Sequence, residues 1–210
     1  MHRIFVSGIG TDVGKTIVSA MLAEALGADY WKPVQCGNLG ENDSARVRKL
    51  VSNPDLKVHP ERYRLQTPAS PHLAASIDGV SMRLSDFSPP DTSNKLIIEG
   101  AGGLLVPLSD TEMMIDLIKQ LAAPVVLVSR NYLGSINHTL LSIEALRTRG
   151  IKLLGVVFNG SRAVESEEAI LKLGRVECMG RISEEVRMDR ECIARYAKQF
   201  GVWFANHNLP

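Results

Sequence analysis

Cysteine is scarce: the 210 residues hold three, Cys36, Cys178 and Cys192. Their spacing matches no zinc pattern, and an odd count argues against a disulfide framework. A reducing, cytoplasmic setting is expected. Charge of one sign is also missing. Lys and Arg number 24 against 23 Asp and Glu, so the formal net charge is +1. No basic field points to a nucleic-acid partner, and no acidic tail suggests a scavenging role. No apolar run is long enough to cross a bilayer, so no membrane association is expected. The first residues form no charged segment followed by an apolar one, so no signal peptide is expected. Internal repeats, low-complexity tracts and a second-domain boundary are absent. The length suits one α/β domain, expected over residues 1–210. A content of 45% hydrophobic and 22% charged residues is ordinary for a globular chain.

What is present starts at the first strand. Arg3-Ile4-Phe5-Val6 is a short apolar run that reads as a buried strand. Residues 17–26 read as a helix. Between them lies Gly8-Ile9-Gly10-Thr11-Asp12-Val13-Gly14-Lys15-Thr16. Strand, glycine loop and helix form the context that a phosphate-binding loop needs. Backbone N–H groups converge on phosphates, and the helix N-terminus adds a favourable dipole. Gly10 and Gly14 would admit phosphate oxygens where a side chain would collide. Lys15 reaches the β- and γ-phosphates in such a loop, and the Thr16 hydroxyl ligates magnesium. Gly8 stands one residue earlier than the usual first glycine, so the loop is one residue longer than the common form.

Residues 28–37 read as a second strand ending in a loop, with Pro33 near its end. Lys32 falls at the carboxyl end of that strand, the edge where open α/β sheets bind ligands. A helix with a plausible cap starts at Asn42-Asp43. Residues 53–72, with Pro54, Pro60, Pro68 and Pro71, read as an excursion over the surface that could serve as a lid. A short helix starts at Ser70-Pro71-His72, and residues 85–94 read as a loop. Lys95-Leu96-Ile97-Ile98-Glu99-Gly100-Ala101-Gly102-Gly103 delivers an acid from a buried strand and then a glycine run. Phosphate-loop enzymes place an acid near magnesium at such a strand end, and the glycines let backbone approach the γ-phosphate or the substrate. Residues 113–121 read as a helix and residues 124–129 as a buried strand. That strand leads through Leu133-Gly134-Ser135-Ile136-Asn137 into a helix stopped by Gly150. Residues 152–159 form the next strand, with Asn159 at its tip, either a turn residue or an amide facing a purine. Residues 178–182 suggest a short edge strand, and the tail carries a helix over 190–200. Apolar strands alternating with helices predict a mostly parallel sheet covered on both faces.

These motifs, in this order, resemble dethiobiotin synthetases, the ATP-dependent carboxylating cyclases of biotin synthesis. The resemblance runs from Ile4 to about Ile182. It rests on the long loop ending in Gly14-Lys15-Thr16, on Lys32-Pro33-Val34, Ser70-Pro71-His72, Glu99-Gly100-Ala101-Gly102-Gly103, Leu133-Gly134-Ser135-Ile136-Asn137-His138 and Val156-Val157-Phe158-Asn159. It implies a phosphate-loop NTPase fold, a three-layer sandwich. It implies that 7,8-diaminononanoate, CO2 or bicarbonate, and ATP are the substrates and that Mg2+ is the metal. Asp12, Val13, Gly14, Lys15, Thr16, Ile17, Asp43, Glu99, Gly100, Ala101, Gly102, Asn159 and Gly160 would bind the nucleotide. Thr16, Asp43 and Glu99 would ligate magnesium. Lys32 would hold the carbamate, with Lys15 as the second catalytic lysine. Asp12 stands where the family often has Glu. Cys36 stands near the substrate, where similar sequences commonly carry Ser or Thr, and a thiol donates a weaker hydrogen bond. Leu133, Gly134, Ser135, Ile136 and Asn137 would hold the substrate carboxylate from the partner subunit of a homodimer.

Two other readings share the loop. A partition or arsenite-type ATPase switch often carries an extra lysine early in the loop, and Gly10 occupies that place here. A regulatory nucleotide-binding module without chemistry would have no need of Lys32 or of residues 133–137.

Overall fold

The computed structural model describes residues 3–207. Residues 1–2 and 208–210 of the domain expected over 1–210 lie outside the described residues. In chain order the strands are β1 (Arg3–Gly8), β2 (Asp29–Trp31), β3 (Val34–Cys36), β4 (Val58–His59), β5 (Tyr63–Leu65), β6 (Leu96–Gly103), β7 (Val125–Arg130), β8 (Leu153–Asn159) and β9 (Cys178–Ile182). The helices are α1 (Lys15–Leu26), α2 (Asp43–Leu50), α3 (Pro71–Ile77), α4 (Met114–Gln120), α5 (Ser135–Thr148), α6 (Val164–Gly174) and α7 (Arg190–Asn206).

The main sheet has the order β4-β2-β6-β1-β7-β8-β9, and its pairings are parallel. Strands buried on both faces need apolar side chains at nearly every position, which is why β1, β6 and β7 read as continuous apolar runs. On one face Ile4, Val6, Tyr30, Ile97, Val126 and Val128 pack under α1, α2 and α7. On the other, Phe5, Trp31, Leu96 and Ile98 pack under α3 and α4, while Leu127, Val156 and Phe158 pack under α5 and α6. The sandwich has three layers, as expected. Asn42 caps α2, its side chain accepting from Ala45 N over 2.8 Å. Among the described residues no helix is long and apolar enough to cross a membrane.

Three departures from the sequence reading have physical reasons. The strand expected over 28–37 is two strands in two sheets. Pro33 has no N–H to extend the ladder, and its carbonyl accepts from Arg62 N and Tyr63 N over 2.9 and 3.0 Å. The chain therefore leaves the main sheet at Lys32, and β3 pairs with β5. Residues 53–72 are not a free excursion. They supply β4, an edge strand of the main sheet, and β5, and Trp31 Nε1 ties them down at Pro60 O over 3.1 Å. Helix α6 escaped the sequence reading because it buries little apolar surface, with only Glu167, Ile170 and Gly174 shielded. The tail helix also runs on past 200 to Asn206.

Candidate active site

Parallel strands all end on the same side, so the segments after β1, β2, β6, β7 and β8 meet at one sheet edge. A cavity of about 780 Å³ opens there, lined by the phosphate loop, Lys32, Glu99 and Asn159 among others. A second cavity of about 570 Å³ lies at the opposite edge, beside Arg3, Thr92 and Asn94. Arg3 is the single charged side chain in its lining.

Gly14 is the N-cap of α1 in the left-handed region at φ 101°. A Cβ at this position would strike the Asn159 side-chain amide. Gly14 is therefore required by backbone conformation and by a protein neighbour, in addition to the clearance for phosphate expected from the sequence. Gly10 has open space where a Cβ would stand. Its carbonyl accepts from Lys15 Nζ over 2.8 Å. Lys15 is buried, and burial pushes its pKa down to about 8 against the pull of Glu99 and Asp43.

The Thr16 hydroxyl lies 2.9 Å from both Asp43 Oδ1 and Glu99 Oε1, and its single proton serves one at a time. Lys32 Nζ donates to Asp43 Oδ2 and, over 3.0 Å, to Glu99 Oε1. Tyr30 OH donates to Glu99 Oε2 over 2.9 Å. Tyr30 lies in β2 and Lys32 directly follows it, two residues on, and both side chains reach the two oxygens of Glu99. Burial acts to lower the Lys32 pKa, but Glu99 and Asp43 outweigh it and hold the ammonium above its ordinary range. Burial likewise acts to raise Asp43, and Lys32 overcomes it, leaving the carboxyl below its ordinary range. Burial, then the Glu99 charge, lifts the Tyr30 phenol well above its usual pKa. Among the described residues no group of three or more His, Cys, Asp or Glu side chains converges to hold a metal. The donor set here is two carboxylates and a hydroxyl, all hard oxygens, which fits magnesium.

Other expected residues divide. Asp12, Ile17, Cys36, Ala101 and Gly102 line the cavity with Gly14, Lys15, Thr16, Lys32, Asp43, Glu99 and Asn159. Val13 is buried. Gly100 departs from its expected reason. A Cβ there would stand 2.8 Å from the Phe5 ring, so this glycine serves core packing, whereas Gly102, at φ 66°, faces the cavity. Gly160 sits at φ 98° just past β8. Leu133, Gly134, Ser135, Ile136 and Asn137 do not line the cavity of their own chain. Ser135 N, expected to be free at the helix start, donates to Tyr132 O over 2.9 Å. Burial pushes the Cys36 thiol up to about 11, only partly offset by Lys32. Sequence reasoning missed Tyr30, Gln35 and Arg130. Gln35 Oε1 accepts from Asp43 N over 3.4 Å. Tyr30 was signalled by its spacing from Lys32, while Arg130 carried no local signal beyond its place at a strand end.

The family model described as "AAA domain" matches residues 2–191. The ATP-dependent dethiobiotin synthetase BioD of Christiangramia forsetii is 53% identical over 196 residues, covering 93% of this chain and 94% of that protein. The enzyme of the same name from Cytophaga hutchinsonii is 50% identical over 97% of this chain and 100% of its own length. Among solved structures, the fold is similar to a putative plasmid partition protein from Borrelia burgdorferi bound to AMPPNP. There the TM-score is 0.58 and the identity 10%, over 98% of each chain. The MinC:MinD complex of Aquifex aeolicus aligns at a TM-score of 0.55 and 14% identity, covering 100% of this chain and 96% of that one. These two distant likenesses establish the phosphate-loop fold alone. The curated relatives, alike along nearly the whole chain at half identity or better, go further: the chain belongs to the ATP-dependent dethiobiotin synthetase family.

Proposed function

We propose that the protein joins CO2 to 7,8-diaminononanoate and closes the ring to dethiobiotin, with ATP converted to ADP and phosphate. The observation that carries this reading is Lys32. Its ammonium is buried between Asp43 and Glu99, on the cavity that also holds the phosphate loop. A nucleotide switch has no evident use for a second buried lysine there.

The chemistry runs in three steps. One amine attacks CO2 and loses a proton, giving a carbamate. A carbamate oxygen attacks the γ-phosphorus as the bond to ADP breaks, giving a carbamic–phosphoric anhydride. The second amine attacks the anhydride carbonyl and loses its proton, and phosphate departs with the C–O bond. Phosphoryl transfer asks the protein mainly for positioning and charge neutralisation. Lys15 and the amides of Val13, Gly14, Thr16 and Ile17 hold the β- and γ-phosphates. Lys32 holds the carbamate and offsets charge developing on it. Asp12 and Cys36 border the amine end, Ala101 and Gly102 line the γ-phosphate side, and Asn159 with Gly160 faces the purine. Thr16, Asp43 and Glu99 would hold magnesium, which supplies further neutralisation of phosphate charge when bound.

The substrate is long, and its carboxylate needs a site away from the amines. The start of α5 lies outside the cavity, and the amides of Ile136 and Asn137 have no backbone partner among the described residues. A homodimer that brings this helix start to the neighbour's cavity completes the site. The deciding experiment is ATP turnover with and without diaminononanoate and bicarbonate. Phosphate release should require both, with dethiobiotin formed in equal amount. Release indifferent to the diamine would sink the proposal in favour of an ATPase switch.

A further inference from the structure

We infer that Arg130 and Asn159 are positioning residues for the phosphate-binding loop: one cross-strand pair holds two consecutive loop carbonyls outward and so aims the next two amides inward. The inference rests on the reading that this loop holds the phosphates of ATP.

Arg130 and Asn159 are register partners at the carboxyl ends of β7 and β8. Arg130 Nη1 donates to Asp12 O over 3.3 Å. Asn159 Nδ2 donates to Val13 O over 2.8 Å. A trans peptide is planar and sets its C=O and the following N–H on opposite sides. With the Asp12 carbonyl drawn to Arg130, the Val13 N–H turns the other way, and the Gly14 N–H does the same relative to Asn159. Among the described residues neither amide donates to a backbone acceptor.

The loop conformation needs such a clamp. Asp12 stands at φ 56°, a left-handed conformation that a residue with a side chain rarely adopts without local support. One glycine makes room for the clamp. Gly14 leaves space for the Asn159 amide, which a Cβ there would strike. Arg130 lines the same cavity as Lys15. A direct contact from Arg130 to phosphate is the competing explanation, so the test must read the loop with no ligand present.

Arg130→Met keeps the stem and removes the donors; Asn159→Leu keeps the size and removes the amide. Both are made in the full chain. Two readouts are taken: hydrogen exchange of the 8–16 segment in the unliganded protein, and calorimetry with inorganic tripolyphosphate, a probe without a base. Each variant should exchange faster across the loop and bind tripolyphosphate about tenfold more weakly, the scale of one hydrogen bond. Weaker binding with unchanged loop exchange in Arg130→Met would make Arg130 a direct contact and overturn the inference. Unchanged tripolyphosphate binding in Asn159→Leu would also overturn it, leaving Asn159 to the base alone. Should Asn159→Leu fail to fold, Asn159→Ser replaces it; Arg130 is exposed and Arg130→Met carries the test independently. Wild-type protein that binds neither ATP nor tripolyphosphate would strike the phosphate-loop reading instead.

Discussion

Lys32 Nζ reaches Glu99 Oε1 over 3.0 Å, with both side chains almost wholly shielded from water. Lys32 directly follows β2 and Glu99 lies within β6, each next after the register partners Trp31 and Ile98, so the sheet itself sets the pair side by side. A buried ion pair adds little to stability once desolvation is counted, yet removing one partner is costly. Under the proposed function, the pair serves the reaction and not stability. Lys32→Met should cut dethiobiotin formation ~10²–10³-fold, the scale of one preorganised charge-stabilising group. ATP affinity by calorimetry should stay close to wild type. Loss of ATP binding as severe as in Lys15→Ala would remove the assigned role.

The depressed pKa of Lys15 sets a pH dependence. Its folded value is about 8 against an ordinary 10.5. Between those values the unfolded chain binds more protons, so this group's contribution to folded stability rises with pH through that window. Below it both states are protonated, and the burial penalty stands in full. Bound phosphates favour the ammonium, so near pH 8.5 ATP binding should take up protons. Calorimetry in two buffers of different ionisation enthalpy checks this. Equal heats in both would contradict it, and Lys15→Ala should abolish the difference.

Glu99→Gln keeps the size of a side chain that lies 2.9 Å from the Thr16 hydroxyl and removes its charge. The magnesium concentration for half-maximal turnover should rise. Identical titration curves for variant and wild type would return Glu99 to a purely structural part.

Tyr30 is fully buried and donates to Glu99 Oε2. Tyr30→Phe deprives a buried carboxylate of a donor and should cost about 1–3 kcal/mol in urea unfolding. No change in the unfolding midpoint would show that the bond contributes nothing net.

Burial holds the Cys36 thiol near 11, so it carries little thiolate at neutral pH. Iodoacetamide should label it slowly at pH 8, as followed by mass spectrometry of the tryptic peptide. Cys36→Ser should remain active, since the hydroxyl is the better donor. Rapid labelling would indicate a different environment.

Shared sites predict complementation. Lys15→Ala chains mixed with Ile136→Pro chains should regain about one working site per heterodimer. Ile136 lies in the first turn of α5, where proline is tolerated and only a free N–H is lost. No regain after confirmed subunit exchange would place the carboxylate site within one chain.

Lys15, Thr16 and Glu99 were legible because their patterns are local: a buried strand, glycines and a helix start close together for the loop, and an acid between an apolar run and a glycine run for Glu99, although β6 continues past the acid to Gly103. Lys32 was legible from its place at a strand end. Its setting was not, because Asp43 is 11 residues away and Glu99 67 residues away. Pro33 announced a strand end, yet the switch of β3 into a second sheet depended on β5, which the proline-rich segment concealed. Helix α6 stayed hidden because a helix with one buried large apolar residue, Ile170, leaves too faint a periodic signal.

By itself the sequence determined the layers, the phosphate loop and the residue types facing it, since apolar periodicity and glycine placement act over a few residues. Tertiary structure alone decided which donors meet which acceptors. Tyr30 on Glu99, Arg130 on Asp12 and Asn159 on Val13 join residues 69, 118 and 146 positions apart. Such contacts follow from strand order, because β2, β6, β1, β7 and β8 become neighbours only when the parallel sheet closes and buries its apolar faces.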